Sequence, residues 1–323
     1  MTVDEIKAPI EQELNDFEDF FLESMRSNVP LLDKVIHYIA KRKGKQIRPM
    51  FVFLVARMLG GQGEKKTFSA AALVELLHTA TLVHDDVVDD ANERRGFFSV
   101  NALWKNKIAV LVGDYLLSRS LLTSIDQNDF ASLEVIARAV KAMSEGELLQ
   151  LEKSRTLDIT EEVYMEVIRQ KTGSLISACC EAAAISVGRL DLAERMRQFG
   201  ELIGLAFQIK DDIFDYGNDT QIGKPTGNDI RERKVTIPLI YALNNSTKEV
   251  KRELVTIIKK YNEDKHKVKR AVELVVQSGG IAYAHQKMMK LKDEALELLS
   301  DIPDSPAKQS LIGLVEYTAN RMK

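Results

Sequence analysis

The segment FSAAALVELLHTATLVHDDVVDD, residues 68–90, is apolar around most of a helical circumference and then ends in acid. A helix that is apolar nearly all round belongs in the centre of a bundle. A second segment of the same kind, LDLAERMRQFGELIGLAFQIKDDIFDY at residues 190–216, closes on the same pattern. Asp85-Asp86-Val87-Val88-Asp89 and Asp211-Asp212-Ile213-Phe214-Asp215 are two copies of DDxxD. On a helix, positions i, i+1 and i+4 share one broad face, so each copy aims its carboxylates at a common point. Like charges that close repel unless something cationic sits between them. Acidic runs are usually solvated helix faces, but these follow core-like sequence, where unpaired acids are costly.

Hard divalent cations prefer oxygen ligands, and magnesium binds through a few carboxylates plus substrate phosphates. Asp85, Asp86, Asp89, Asp211, Asp212 and Asp215 are therefore the candidate metal ligands, and a magnesium-bound diphosphate the candidate occupant.

Outward from these two segments, helical periodicity dominates. Helices are predicted over about 3–25, 31–42, 49–59, 68–90, 107–125, 131–155 and 161–187. Others fall over about 190–216, 237–243, 248–261, 265–278, 281–299 and 306–322. Thr160 before Glu161 and Glu162 marks an N-cap with an acidic first turn, and Pro49 suits a first helical position. No strand alternation stands out. The expected fold is all-α, about 13 helices in one bundle around a deep apolar central cavity. With no Pro- or Ser-rich linker, residues 1–323 read as one domain.

Composition narrows the classes. The chain has 323 residues, 45% hydrophobic and 29% charged, with net charge −3, which argues against bulk nucleic-acid binding. Its two cysteines, Cys179 and Cys180, are adjacent and poorly placed to pair, which suits a reducing cytoplasm. No stretch reaches about 18 uninterrupted apolar residues, although a lipid product could still draw the protein to a membrane surface.

A diphosphate also needs direct cationic contacts. Candidates are Lys45 and Arg48, Arg94 and Arg95 after the first motif, Lys171 beside Thr172, and Lys224 and Lys234 after the second. Arg offers a planar fork and Lys a mobile point charge. Gly217 to Thr226 is no phosphate-binding P-loop, because Pro225 stands where Ser or Thr is required and no strand precedes it. The five histidines show no zinc spacing.

The segments GKQIRP (44–49), HTATLVHDDVVDDANERRG (78–96), VGDYLLSR (112–119), KTGSL (171–175), FQIKDDIFD (207–215) and GKPTGNDIRERKVTIP (223–238) resemble the trans-isoprenyl diphosphate synthases, or polyprenyl synthetases. The resemblance implies an all-α homodimer with the DDxxD helices facing each other and two or three Mg²⁺ ions per site. It assigns Lys45, Arg48, His78 and Arg95 to isopentenyl diphosphate. Arg94, Lys171, Thr172, Gln208, Lys224 and Lys234 fall to the allylic diphosphate, farnesyl or similar. Lys171, Thr172 and Gln208 would also stabilise the allylic carbocation. The glycine pair that often opens the first of these segments is reduced here to Gly44.

Product length should follow from Ala80 and Thr81, the residues five and four before Asp85. Short-chain members of the family tend to carry aromatics there as a floor. Small residues predict a long product, hexaprenyl to nonaprenyl, with the floor among Leu77, Leu116 or Leu117, and the segment looks closest to octaprenyl-type synthases of quinone side chains. Competing readings are a geranylgeranyl-type synthase, a class I terpene cyclase and a non-catalytic synthase subunit. A cyclase normally has a different second metal motif, and non-catalytic subunits usually lose one aspartate motif or the cations.

Overall fold

The computed structural model describes residues 1–41, 46–94, 96–156, 159–217 and 226–320, without the side chains of Arg94, Arg155, Thr156 and Asn320. Its helices are α1 (Val3–Lys7), α2 (Glu11–Met25), α3 (Pro30–Ala40), α4 (Ile47–Met58), α5 (Lys65–Val88), α6 (Val100–Asp126), α7 (Phe130–Thr156) and α8 (Glu161–Ile168). They continue with α9 (Ser174–Ser186), α10 (Leu190–Phe214), α11 (Asn228–Arg231), α12 (Ile237–Asn245), α13 (Lys248–Lys260), α14 (Lys265–Gln277), α15 (Gly280–Glu297) and α16 (Pro306–Asn320). The all-α reading holds. The exception is a two-residue antiparallel ribbon, β1 (Glu93–Arg94) against β2 (Phe97–Phe98), too short to show as alternation.

Local chemistry sets the ends. Thr160 caps α8 by accepting a bond from the Val163 amide, as predicted. Thr2 and Glu5 form a capping box on α1. The first predicted helix is broken at Pro9 into α1, a 3₁₀ turn at Ala8–Ile10 and α2. Helix α4 starts at Ile47, two residues before the predicted Pro49. Proline is tolerated there because amides of a first turn have no intrahelical partner.

Two compact units contain the chain. The first comprises Met1–Arg138, Ala178–Arg197 and Pro303–Leu311. Its core joins Met25, Ile36, Leu76, Ala80, Val83, Val112 and Leu116, beside an aromatic run in which Phe53 meets Phe17 and Phe68 edge-on. The second comprises Ala139–Ser177, Gln198–Ile302 and Ile312–Lys323. Leu205, Ile209, Ile237, Leu254, Leu274 and Met288 fill its core.

Helix α6 runs over 27 residues across a kink at Lys105, where φ is 71°, and its most apolar window has a mean hydropathy of 1.4, enough by length and composition to cross a membrane. Lys105, Lys107, Asp114 and Arg119 interrupt it, and 39% of that window is buried. Leu103, Val110, Leu111, Leu121, Leu122 and Ile125 remain exposed along it.

Candidate active site

In the second unit, the predicted helix 161–187 is not continuous. Between α8 and α9, Arg169–Gly173 forms a π turn that carries Lys171 and Thr172. Such turns cost regular hydrogen bonding and often occur at functional sites. Two glycines make room for it, and a third for the start of α9. A Cβ on Gly146 would sit 2.7 Å from the Cβ of Gln170, and one on Gly204 would sit 2.7 Å from the Cα of Gly173. A Cβ on Gly200 would meet the Ile176 carbonyl oxygen at 2.5 Å.

This close approach brings the turn onto α10. Thr172 Oγ1 donates to Gln208 Oε1 at 2.7 Å, and Gln208 Nε2 donates to Asp212 Oδ1 at 2.9 Å. The buried Tyr164 hydroxyl donates to the other oxygen, Asp212 Oδ2, at 2.5 Å. Lys171, Thr172, Gln208, Asp212 and Lys234 line one cavity of about 120 Å³, with Tyr164, Gln150 and Asp229. Ile159, Val167, Ile168 and Val235 give it an apolar wall.

Helix α10 stops at Phe214, so Asp215, inside the helix predicted to run to 216, lies beyond the observed one. The amides of Asp215 and Tyr216 bond back three residues, to Asp212 and Ile213, in a tightened last turn. Asp215 Oδ1 and Oδ2 accept from the amides of Asn228 and Asp229, each at 2.9 Å, which anchors the first turn of α11.

The acids are out of balance with their surroundings. Burial pushes the Asp212 carboxyl up to about 7, opposed by its bonds from Tyr164 and Gln208. Burial, then the nearby Asp212 and Asp215, push Asp229 up to about 8, opposed by Lys234. Asp215 is raised by burial too, and burial with Asp212 drives Tyr164 well above its ordinary value. Lys171 Nζ reaches Glu147 at 2.5 Å and Gln150 at 3.0 Å. Lys234 Nζ reaches Glu232 at 2.5 Å.

In the first unit, Asp85 and Asp89 are exposed and Asp86 is buried. Helix α5 ends at Val88 rather than Asp90, with Asp89 as its C-cap and Asp90 in the left-handed region. His84 sits on Gly113 of α6, where a Cβ would overlap its ring. The ring nitrogen Nε2 lies 3.4 Å from Asp114 and 3.3 Å from the Val110 carbonyl. Half-buried Arg48 acts electrostatically on the thiol of Cys179, which burial pushes up to about 12. His78 is half-buried, and its carbonyl accepts from the half-buried Thr81 at 2.9 Å. Ala80 is fully buried. Lys45, Arg95 and Lys224, and the side chain of Arg94, lie outside the described residues.

These groups suit a hard divalent cation. Both acidic motifs sit at the C-terminal ends of their helices, against the negative end of the dipole. Burial is the first cause of the raised Asp212 and Asp229 carboxyls, and the neighbouring acids add to it, so a bound cation would offset both. Among the described residues no cluster of three acids, histidines or cysteines is placed to hold an ion. Magnesium takes much of its shell from water and substrate phosphate, so it requires no such cage.

Tyr164 and Asp229 were missed in the sequence. Tyr164 carries no motif, whereas Asp229 lies in the GNDIRER run that follows the second DDxxD. A sequence model of the polyprenyl synthetase family matches residues 29–275. The octaprenyl diphosphate synthase of Escherichia coli is 36% identical over 99% of both chains. A decaprenyl diphosphate synthase from Rhodobacter capsulatus superposes with a TM-score of 0.93 at 35% identity, over the whole of both chains. A geranylgeranyl pyrophosphate synthase from Bacteroides thetaiotaomicron is 40% identical over 99% of both, with a TM-score of 0.84. With its aspartate motifs, π-turn lysine and glutamine in place, this chain belongs to the polyprenyl synthetase family.

Proposed function

We propose that the chain is a magnesium-dependent trans-prenyltransferase that condenses isopentenyl diphosphate with an allylic diphosphate such as farnesyl diphosphate. Its product is a long all-trans polyprenyl diphosphate, hexaprenyl to nonaprenyl, of the kind used for quinone side chains. The observation that carries this reading is the linked chain Thr172–Gln208–Asp212 in one cavity with Lys171 and Lys234. Asp85, Asp86, Asp89, Asp211, Asp212 and Asp215 are its metal-site acids, and Arg48 and His78 contribute to holding isopentenyl diphosphate. The whole chain acts as one catalytic domain, and the family match running through both units supports this.

Magnesium, when bound, neutralises charge on the departing diphosphate. Lys171 exchanges its Glu147 partner for diphosphate oxygen, and Lys234 does the same from Glu232. Thr172 and Gln208 place hydroxyl and amide oxygens where the allylic cation forms, a preorganised electrostatic contribution. The Ile159, Val167, Ile168 and Val235 wall excludes water, which would quench a carbocation. Among the described residues no side chain other than the proposed metal-site acids and Asp229 stands out as a base, and in this proposal the final proton passes to the released diphosphate.

The exposed apolar face of α6 supports a homodimer that covers it. Two buried, unpaired cysteines support a reducing compartment such as the cytoplasm, with contact to a membrane surface at product release. A second reading, a geranylgeranyl-type synthase, is favoured by the 40% identity to such an enzyme.

Purified protein, Mg²⁺, labelled isopentenyl diphosphate and farnesyl diphosphate distinguish them once the dephosphorylated products are separated by length. A ladder running well past geranylgeranyl supports the long-chain reading; a stop there supports the second. Release of diphosphate without elongation points to cyclisation instead.

A further inference from the structure

Asp212 is held from two directions by different helices. Gln208, one turn earlier on α10, takes Oδ1, while Tyr164 on α8 takes Oδ2 with a 2.5 Å bond in a buried setting. The phenol of Tyr164 is 4% exposed and Asp212 is 6% exposed, so neither can substitute water for the other at low cost. Two donors on two oxygens fix the plane of the carboxylate as well as its position.

Helix α8, which delivers Tyr164, is itself anchored. Its first residue, Glu161, accepts from the Tyr283 hydroxyl at 2.8 Å and 3.0 Å, and from Lys287, both on α15. Tyr283 stacks on Tyr241 with ring centroids 4.6 Å apart. The hydroxyl is thus presented from a braced helix rather than from a loop.

We propose that Tyr164 is a positioning residue for the second aspartate motif: its hydroxyl fixes the orientation of Asp212 and thereby sets how tightly that motif takes up a divalent cation with diphosphate. The inference rests on the proposed magnesium-dependent function. Without the phenolic hydroxyl, Asp212 keeps only the Gln208 bond and can rotate about its side chain, towards Asp229 or away from the motif. Partners that orient metal-binding groups are typically worth about 10- to 100-fold in metal affinity.

The test compares wild type, Tyr164→Phe, Asp212→Asn and the double variant. Each is titrated with Mn²⁺ at fixed inorganic diphosphate, free manganese is read by electron paramagnetic resonance, and a protein-free titration is subtracted. Thermal unfolding is measured on the same samples. Tyr164→Phe should weaken manganese uptake about 10-fold or more, with a moderate fall in melting temperature, since the ring still fills the space but the buried Asp212 oxygen loses its donor. The double variant should bind no more weakly than Asp212→Asn alone, because the hydroxyl acts through that carboxylate. Glu161→Gln, which loosens α8 without touching Asp212, should weaken binding in the same direction by a smaller factor and covers the case of a poorly folded Tyr164→Phe. Manganese affinity within twofold of wild type in both Tyr164→Phe and Glu161→Gln, or additive losses in the double variant, would overturn the inference. A wild-type protein that takes up no manganese with diphosphate overturns the function on which it rests.

Discussion

A Cβ placed on Gly204 would lie 2.7 Å from the Cα of Gly173, backbone against side chain with nothing flexible to give way. Gly173 ends the π turn that carries Lys171 and Thr172, and Gly204 lies one turn before Gln208 on α10. The absence of a side chain at Gly204 is what allows Thr172 to reach Gln208. Gly204→Ala should therefore cost about 1–3 kcal/mol of stability by overpacking and also lower turnover. Chemical denaturation and steady-state kinetics check both. Normal turnover in a destabilised variant would show that the Thr172–Gln208 bond is dispensable.

Lys171→Ala should lower kcat by about 100-fold or more, the scale seen when one preorganised electrostatic donor is removed. Its bond to Glu147 is half-exposed and contributes little to the fold. Melting temperature should stay close to that of wild type, so a kinetic loss reports on chemistry. Full turnover in the variant would remove the role given to this lysine.

The buried acids predict how stability varies with pH in the absence of metal. Asp212 and Asp229 sit at about 7 and about 8 in the fold, against an ordinary 3.8. Between those limits the folded chain binds more protons than the unfolded one, so stability falls as pH rises from about 4 through 8. Thermal melts without metal should show a lower midpoint at pH about 8.5 than at about 6. Mg²⁺ with diphosphate should restore more at the higher pH, and Asp229→Asn should flatten the slope. A midpoint that rises over this range in the metal-free protein would contradict the assignment of raised values.

Much of this site can be read along the chain, and the unread part has physical causes. Asp85, Asp211, Lys171 and Gln208 announce themselves because charge or amide interrupts apolar helix. Their neighbours across the fold do not. Tyr164 looks like any core aromatic until α10 is packed beside it, and its partner Asp212 lies far along the chain. The π turn leaves no mark in hydrophobic periodicity, because Arg169–Gly173 is only five residues long, shorter than the window over which periodicity can be read. The helix end at Phe214 was overrun since Asp215 and Tyr216 continue the helical spacing while their amides already form a tighter turn.

His84 and Gly113 make a second close pair, and it bears on the first aspartate motif. The imidazole occupies the space a Cβ of residue 113 would need. Gly113→Ala must displace His84, the residue immediately before Asp85, and should cost about 1–3 kcal/mol. Adding His84→Ala should return part of that stability, since the small side chain vacates the contested space. Denaturant melts of the two single variants and the pair give the coupling. Strict additivity would mean that the ring does not seat on Gly113.

We propose that product length turns on what Ala80 faces. The residue is fully buried, in the same apolar cluster as Leu76, Val83, Val112 and Leu116, with Thr81 half-buried beside it. A phenyl group at position 80 has two possible consequences that different measurements separate. If Ala80 borders the path of the growing chain, Ala80→Phe blocks that path, and the longest product shortens while the protein remains folded. If Ala80 only fills a core, the same change overpacks it, costs about 1–3 kcal/mol and leaves product length unchanged. Leu116 supplies the converse test, since it lies in the same cluster and is fully buried. Leu116→Ala opens space in the cluster that holds Ala80 and, on the same proposal, should lengthen the product even as it destabilises the fold by about 2–5 kcal/mol. We expect shortening in the first variant and lengthening in the second, read by separating dephosphorylated products made from labelled isopentenyl diphosphate. Unchanged length in both would place the limit on chain growth elsewhere in the protein.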